Sequence, residues 1–304
     1  MYMFLIVVFA FVFGLLAGSF LNAVIYRLPS PALRQAGLRS AGSVVRGRSH
    51  CPKCGKILSW YELLPVISFL IQRGRCRGCK KNISFQYPLV ELATGILFAL
   101  VIFNYQFSLL RQGFGGQAII NEFSIFNFQF LISLAIMWAV MSGLIVIFVY
   151  DLRHYIIPDK ILFPLILVAL FAKTFNFWIV DYWKLIENWS LKIVNFELLI
   201  SALLVGVLTA LPFALLHFAS RGRWMGFGDV KFAFFMGVLL GWPNILLALF
   251  LGFNLGAIAG IALILAGKKK LKNQIPFAPF LILGTLTTLF WGGAIIRWYF
   301  DLLF

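Results

Sequence analysis

The sequence predicts an all-α polytopic membrane protein of about eight transmembrane helices, carrying a cytoplasmic zinc-ribbon-like loop. Three observations predict it. Of 304 residues, 62% are hydrophobic and only 12% charged, with a mean hydropathy of +0.96; a soluble domain is about half apolar and a quarter charged. Apolar runs of about 20 residues, long enough to span a bilayer, recur along the chain. All four cysteines fall in one basic loop.

The N-terminal run "MYMFLIVVFAFVFGLLAGSFLNAVIYRLP" has no basic start, and its apolar part is longer than a signal-peptide core. It reads as a retained first helix over residues 1–26, followed by a polar loop over 27–86. Further spans are predicted at about 87–106, 128–150, 160–180, 198–218, 230–243, 245–266 and 276–300. Two Gly/Ala-rich inserts, 30–47 and 109–121, read as loops.

The net charge of +16 invites a nucleic-acid reading, but its distribution favours topology. Twelve of the 26 basic residues lie between Arg27 and Gln86, with Glu62 the one acid there. Alternating eight spans from an outside N-terminus puts 21 basic residues on one side and five on the other. Cytoplasmic loops are enriched in Lys and Arg, so both termini are expected outside and the basic loops, which face anionic lipid, inside. Little soluble surface remains for a nucleic-acid module.

The cysteines form "CPKC" (51–54) and "CRGC" (76–79), two C-x2-C pairs separated by 21 residues, close to zinc-ribbon spacing. Cys51, Cys54, Cys76 and Cys79 are expected to hold a structural Zn²⁺, which takes four thiolates tetrahedrally at about 2.3 Å. Disulfides and free thiols are the alternatives, and a cytoplasmic loop disfavours disulfides. A metal cross-link would give this small polar loop the core it lacks.

Asp151 ends the apolar run "MSGLIVIFVY", and Asp229 follows "GFG" at the start of another. An acid at the edge of a span faces a bundle interior or an aqueous cavity. The topology puts both at the same membrane face. If the third and sixth helices pack together, the two carboxylates approach each other, one retains a proton, and the pair is equipped for acid–base hydrolysis. Gly226 and Gly228 would support this through unusual backbone angles and close approach. The alternative is that each aspartate caps a helix. Asp159, beside Pro158, reads as such a cap; Glu91 fits a packing role and a polar pocket equally well.

"GLLAGSFLNAVIYRLP" (14–29), "CPKCGKILSWYELLPVISFLIQRGRCRGCKKNISFQYPLVELATG" (51–95), "YDLRHYIIPD" (150–159) and "GFGDVK" (226–231) occur in that order. Together they resemble the bacterial type IV prepilin peptidases (leader peptidase/N-methyltransferases) over nearly the whole chain. The resemblance implies an inner-membrane aspartic peptidase acting at the cytoplasmic face on type IV prepilins and pseudopilins, with Asp151 and Asp229 as the catalytic pair. It also implies zinc on the four cysteines and N-methylation of the new N-terminus with S-adenosylmethionine. No nucleic-acid partner is implied. The expected division is a methyltransferase-associated region over 1–95, with the cysteine loop, and a peptidase domain over 96–304. Asn22 and Glu91 are candidates for the methyl-donor site. The alternatives are a peptidase lacking methylase activity and, from other classes, a proton-coupled transporter or a zinc-ribbon scaffold; neither of the last two accounts for all four motifs.

Overall fold

The computed structural model describes residues 2–29, 48–111, 128–174, 196–267 and 275–303. The 30–47 insert, residues 112–121 of the second insert and the "KKKLK" run lie outside them. Among the described residues, eight long helices follow one another: α1 (Tyr2–Arg27), α2 (Gln86–Arg111), α3 (Phe128–His154), α4 (Asp159–Thr174), α5 (Phe196–Ala219), α6 (Phe227–Leu240), α7 (Asn244–Leu265) and α8 (Ala278–Leu303). Six of them are long and apolar enough to cross a membrane: α1, α2, α3, α5, α7 and α8.

The eight predicted spans are therefore not equal. In the described residues α4 has 16 residues and α6 has 14, about 24 and 21 Å at 1.5 Å per residue, against a hydrocarbon core of about 30 Å. Helix α6 stops at Gly241, whose φ of 69° leaves the helical region, two residues before Pro243. It is also the most enclosed helix: Phe232, Ala233, Phe235, Met236, Val238 and Leu239 are all fully buried. A helix apolar around its whole circumference belongs inside a bundle.

Contacts divide the chain into two compact units, Met1–Phe107 and Ser108–Phe304. In the first, α1 and α2 run antiparallel along a seam with four-residue spacing on both sides. A Cβ on Gly14 would stand 2.7 Å from Gly95 Cα, and one on Gly18 would stand 2.7 Å from Glu91 Cα. One turn further, Asn22 Nδ2 donates to Tyr87 O at 3.0 Å. Small residues let the helix backbones approach this closely, which is how helices associate where lipid removes the hydrophobic drive. The polar loop between them contains a 3-10 turn (Trp60–Leu63) and a short helix (Ile67–Ile71).

The second unit is built around α6. Helix α5 crosses it where a Cβ on Gly237 would meet Gly206 Cα at 2.7 Å. Helices α7 and α8 pair where Gly252 faces Leu281 and Gly284 presses on Ala248 O. Helices α4 and α8 each pack against both α3 and α6. The third and sixth helices are thus held through shared neighbours, which brings together the ends that carry Asp151 and Asp229.

Candidate functional site

In the second unit, Asp151 occupies the last turn of α3 and is only 4% exposed. The helix ends three residues later, with Tyr155 at a φ of 56° and its N–H returning to Asp151 O at 2.8 Å. The amide of Ala278, the first residue of α8, bonds to the Asp151 carboxyl. The second oxygen, Oδ2, is buried with no hydrogen-bonding partner among the described residues. A buried carboxylate oxygen without a donor is costly and marks a position where a substrate or water group has something to bond.

Asp229 is the third residue of α6. Its carboxyl turns back to the Gly226 N–H, the residue before the helix, which is the acidic half of a capping box. It is half-buried and lies within Coulombic range of Asp151. Of the two glycines of "GFGD", Gly228 serves space, and neither adopts unusual dihedrals; a Cβ on Gly226 would make only ordinary contacts, the nearest at 3.6 Å. Gly226 has an ordinary extended backbone (φ −72°, ψ 149°). A Cβ on Gly228 would stand 3.3 Å from Ile157 Cβ, tighter than ordinary contact, so this glycine seats the "GFGD" turn on "YIIPD". Phe227, between them, packs its ring 5.4 Å from His217, whose Nδ1 is 2.8 Å from Met225 O.

Asp159 does more than begin α4. Its Oδ1 accepts from Lys231 Nζ at 2.7 Å, and that ammonium also lies 5.4 Å from the Phe163 ring and 5.3 Å from the Phe227 ring. Lys231 is the fifth residue of α6, and the acid and the two π faces hold its ammonium. Nothing in the spacing of Asp159 and Lys231, 72 positions apart, announces the pair.

In the first unit, the sulfurs of Cys51, Cys54, Cys76 and Cys79 all lie within 4.8 Å of one another. Tetrahedral zinc with bonds of about 2.3 Å needs sulfurs about 3.8 Å apart, so small side-chain adjustments suffice and the donor set fits Zn²⁺. The two knuckles repeat each other 25 positions apart. Cys51 N–H bonds to Lys56 O and Cys76 N–H to Lys81 O, each at 2.9 Å. The fifth residue of each turn, Gly55 or Lys80, is left-handed (φ 70° and 57°). Amides of Cys79 and Gly78 draw the Cys76 thiol down to about 6. At Cys54 the Lys56 amide acts in the same sense, but hydrogen bonds with Cys51 and burial outweigh it, and this thiol is pushed up to about 11. A divalent ion removes that competition by favouring every thiolate at once.

Glu62, the one acid of this basic loop, is also its hub. It is buried, accepts the Ser59 N–H at 2.9 Å and pairs with Lys56 Nζ at 3.0 Å. The Ser-x-x-Glu pattern at 59–62 is the capping-box signal that reveals it. Glu91 is also buried, and its Oε2 accepts the N–H of Val66 at 2.8 Å. Asn22 Oδ1 is buried with no partner among the described residues.

Residues 12–105 match the Bacterial Peptidase A24 N-terminal domain, and residues 138–261 match the Type IV leader peptidase family. Among curated proteins, "Prepilin leader peptidase/N-methyltransferase" of Aeromonas salmonicida is 31% identical, with 95% of this chain and 92% of that protein covered. Proteins of the same name from Pseudomonas aeruginosa (29%; 94% and 90% covered) and Bacillus subtilis (28%; 95% and 96% covered) are similar along nearly their whole length. No solved structure matches. A chain with both domain matches in order and this coverage belongs to the type IV leader peptidase family.

Proposed function

We propose that this protein is an aspartic endopeptidase of the bacterial inner membrane that removes the leader from type IV prepilins and pseudopilins at the cytoplasmic face, with Asp151 and Asp229 as its catalytic pair. The observation that carries the reading is the unpartnered buried Oδ2 of Asp151 within Coulombic range of Asp229. One carboxylate takes a proton from water as the water oxygen bonds to the scissile carbonyl carbon. The other, protonated, gives its proton to the departing amine as the C–N bond breaks. Gly228 seats the "GFGD" turn against Ile157. The basic loops support the orientation through the positive-inside rule.

The new amine is then N-methylated. Cys51, Cys54, Cys76 and Cys79 would hold a structural zinc ion; with four protein ligands it has no open position and organises the loop without entering the chemistry. S-adenosylmethionine supplies the methyl group when bound. Asn22 Oδ1, a buried acceptor without a donor, and the buried Glu91 carboxylate fit the amine and ammonium groups of such a donor.

The test is incubation of purified protein with a prepilin in detergent, read by mass. Leader loss in the wild type, followed by a gain of about 14 Da, is expected. Asp151→Asn and Asp229→Asn should each lower cleavage by about 10³-fold or more while inserting normally, since neither half of an acid–base pair works alone. Full cleavage by either variant would overturn the assignment.

A further inference from the structure

The cysteine loop carries more positive charge than its own chemistry uses. Eight lysines and arginines stand between Arg48 and Lys81 with one acid, Glu62, which is already bonded to Lys56. Four thiolates around one divalent ion keep two negative charges, so a surplus of cations remains. Arg73, Arg75, Arg77 and Lys80 converge with Ile71 and Cys76 on a cavity of about 500 Å³, within the range of about 300–1,000 Å³ common for small-ligand sites. The chain is folded into this shape by left-handed residues at Arg73, Gly74 and Lys80 (φ 51°, 65° and 57°). Arg77 is steadied over the Tyr61 ring at 5.0 Å.

Beside the cations is apolar surface with no counterpart in an ordinary polar loop. Ile67, Leu70 and Ile71 are 55%, 67% and 65% exposed, and Ile71 itself lines the cavity. The same short helix is tied to the start of a membrane helix. Phe69 packs on Phe85 at 5.3 Å between ring centres, and Phe85 immediately precedes Gln86, the first residue of α2. Cations gathered where a spanning helix begins, with exposed aliphatic side chains next to them, match the chemistry of an anionic lipid: phosphate at the surface, hydrocarbon below. Arginine forks suit phosphate oxygens in particular.

We propose that this cavity is a phosphate site for an anionic phospholipid of the surrounding leaflet, with Arg73, Arg75, Arg77 and Lys80 on the headgroup and the Ile67–Ile71 turn among the upper acyl carbons. The lipid fastens the cysteine loop to the membrane surface beside α2.

The experiment is native mass spectrometry of the full chain in detergent, titrated with short-chain phosphatidylglycerol or with phosphatidylcholine of the same acyl length. The wild type should retain phosphatidylglycerol about tenfold more tightly. The R73Q/R75Q/R77Q/K80Q variant should lose that preference, and the milder R73Q/R77Q should lose part of it. A charge-matched control in the second unit, R153Q/K160Q/R221Q/R223Q, should keep it. Inorganic phosphate at equal concentration should not displace the lipid. Equal retention of the two lipids by the wild type, a measurement independent of how any variant folds, would overturn the proposal. So would equal loss in the control, which would indicate diffuse attraction, or displacement by inorganic phosphate, which would indicate a free-anion site.

Discussion

Lys231 Nζ and Asp159 Oδ1 meet at 2.7 Å, joining the N-terminal part of α6, two residues beyond Asp229, to the first turn of α4, which follows the loop after Asp151. The pair is partly exposed, with the two side chains at 23% and 43%, so its direct stability is modest, about 0–1 kcal/mol. Its larger effect is on position. Lys231→Met should lower the rate of leader cleavage about tenfold, as small displacements of reacting groups do, with melting temperature nearly unchanged. The charge swap D159K/K231D should recover part of the loss. A swap no better than either single variant would show that the pair does not act through its geometry.

Gly228 sets a second constraint on the same loops. Its missing Cβ would lie 3.3 Å from Ile157 Cβ, so Gly228→Ala forces a small shift and Gly228→Val a large one. Overpacking of this kind costs about 1–3 kcal/mol. Cleavage should fall in that order, and Ile157→Gly, which removes the crowded Cβ, should restore activity to the Gly228→Ala protein. Kinetics on the two single variants and the double variant give the coupling directly.

Glu62 gives a pH-dependent prediction. The Ser59 N–H, with Lys56 beside it, holds its carboxyl below the ordinary carboxylate range. A depressed acid adds stability that is present above the unfolded value, about 4.3, and is lost as pH falls through the folded value. Glu62→Gln should therefore loosen the 48–63 loop at neutral pH, seen as faster amide exchange there than in the wild type. Comparing the two proteins at each pH, the difference should vanish toward about pH 3. A difference that persists undiminished in acid would mean that the charge of Glu62 is not what matters.

These residues also show which parts of the molecule were legible before it was seen. Helices such as α3 and α5 are announced by hydropathy because each is a continuous local pattern. The cysteine tetrad is equally plain, since each knuckle is a local turn and Cys51, Cys54, Cys76 and Cys79 share one loop. The Lys231–Asp159 pair is not local: its two members are ordinary in their own surroundings and acquire a role only when α4 packs on α6. Gly228 was half legible: glycine signalled close approach, but the partner, Ile157, is 71 positions away in the chain and could not be named. Helix α6 escaped full description for another cause, because hydropathy does not distinguish a lipid-facing span from a short helix enclosed by others.

Glu91 distinguishes structural from chemical roles in the first unit. Its Oε2 accepts the N–H of Val66, a β-branched residue at a φ of 59°. Such a backbone costs about 1–3 kcal/mol and persists only where its surroundings hold it. Glu91→Ala leaves that buried N–H without an acceptor, a further loss of about 1–3 kcal/mol, and should speed amide exchange over residues 64–72. Glu91→Gln keeps a carbonyl oxygen for the bond and should keep the turn ordered. Val66→Gly, which relieves the strain, should partly rescue Glu91→Ala. If Glu91 also serves the methyl donor, Glu91→Gln will leave the turn intact and leader cleavage unchanged while binding of labelled S-adenosylmethionine falls, because an amide cannot balance the donor's ammonium. Unchanged donor binding in an ordered Glu91→Gln protein would leave Glu91 as the acceptor for Val66 and assign the donor site elsewhere.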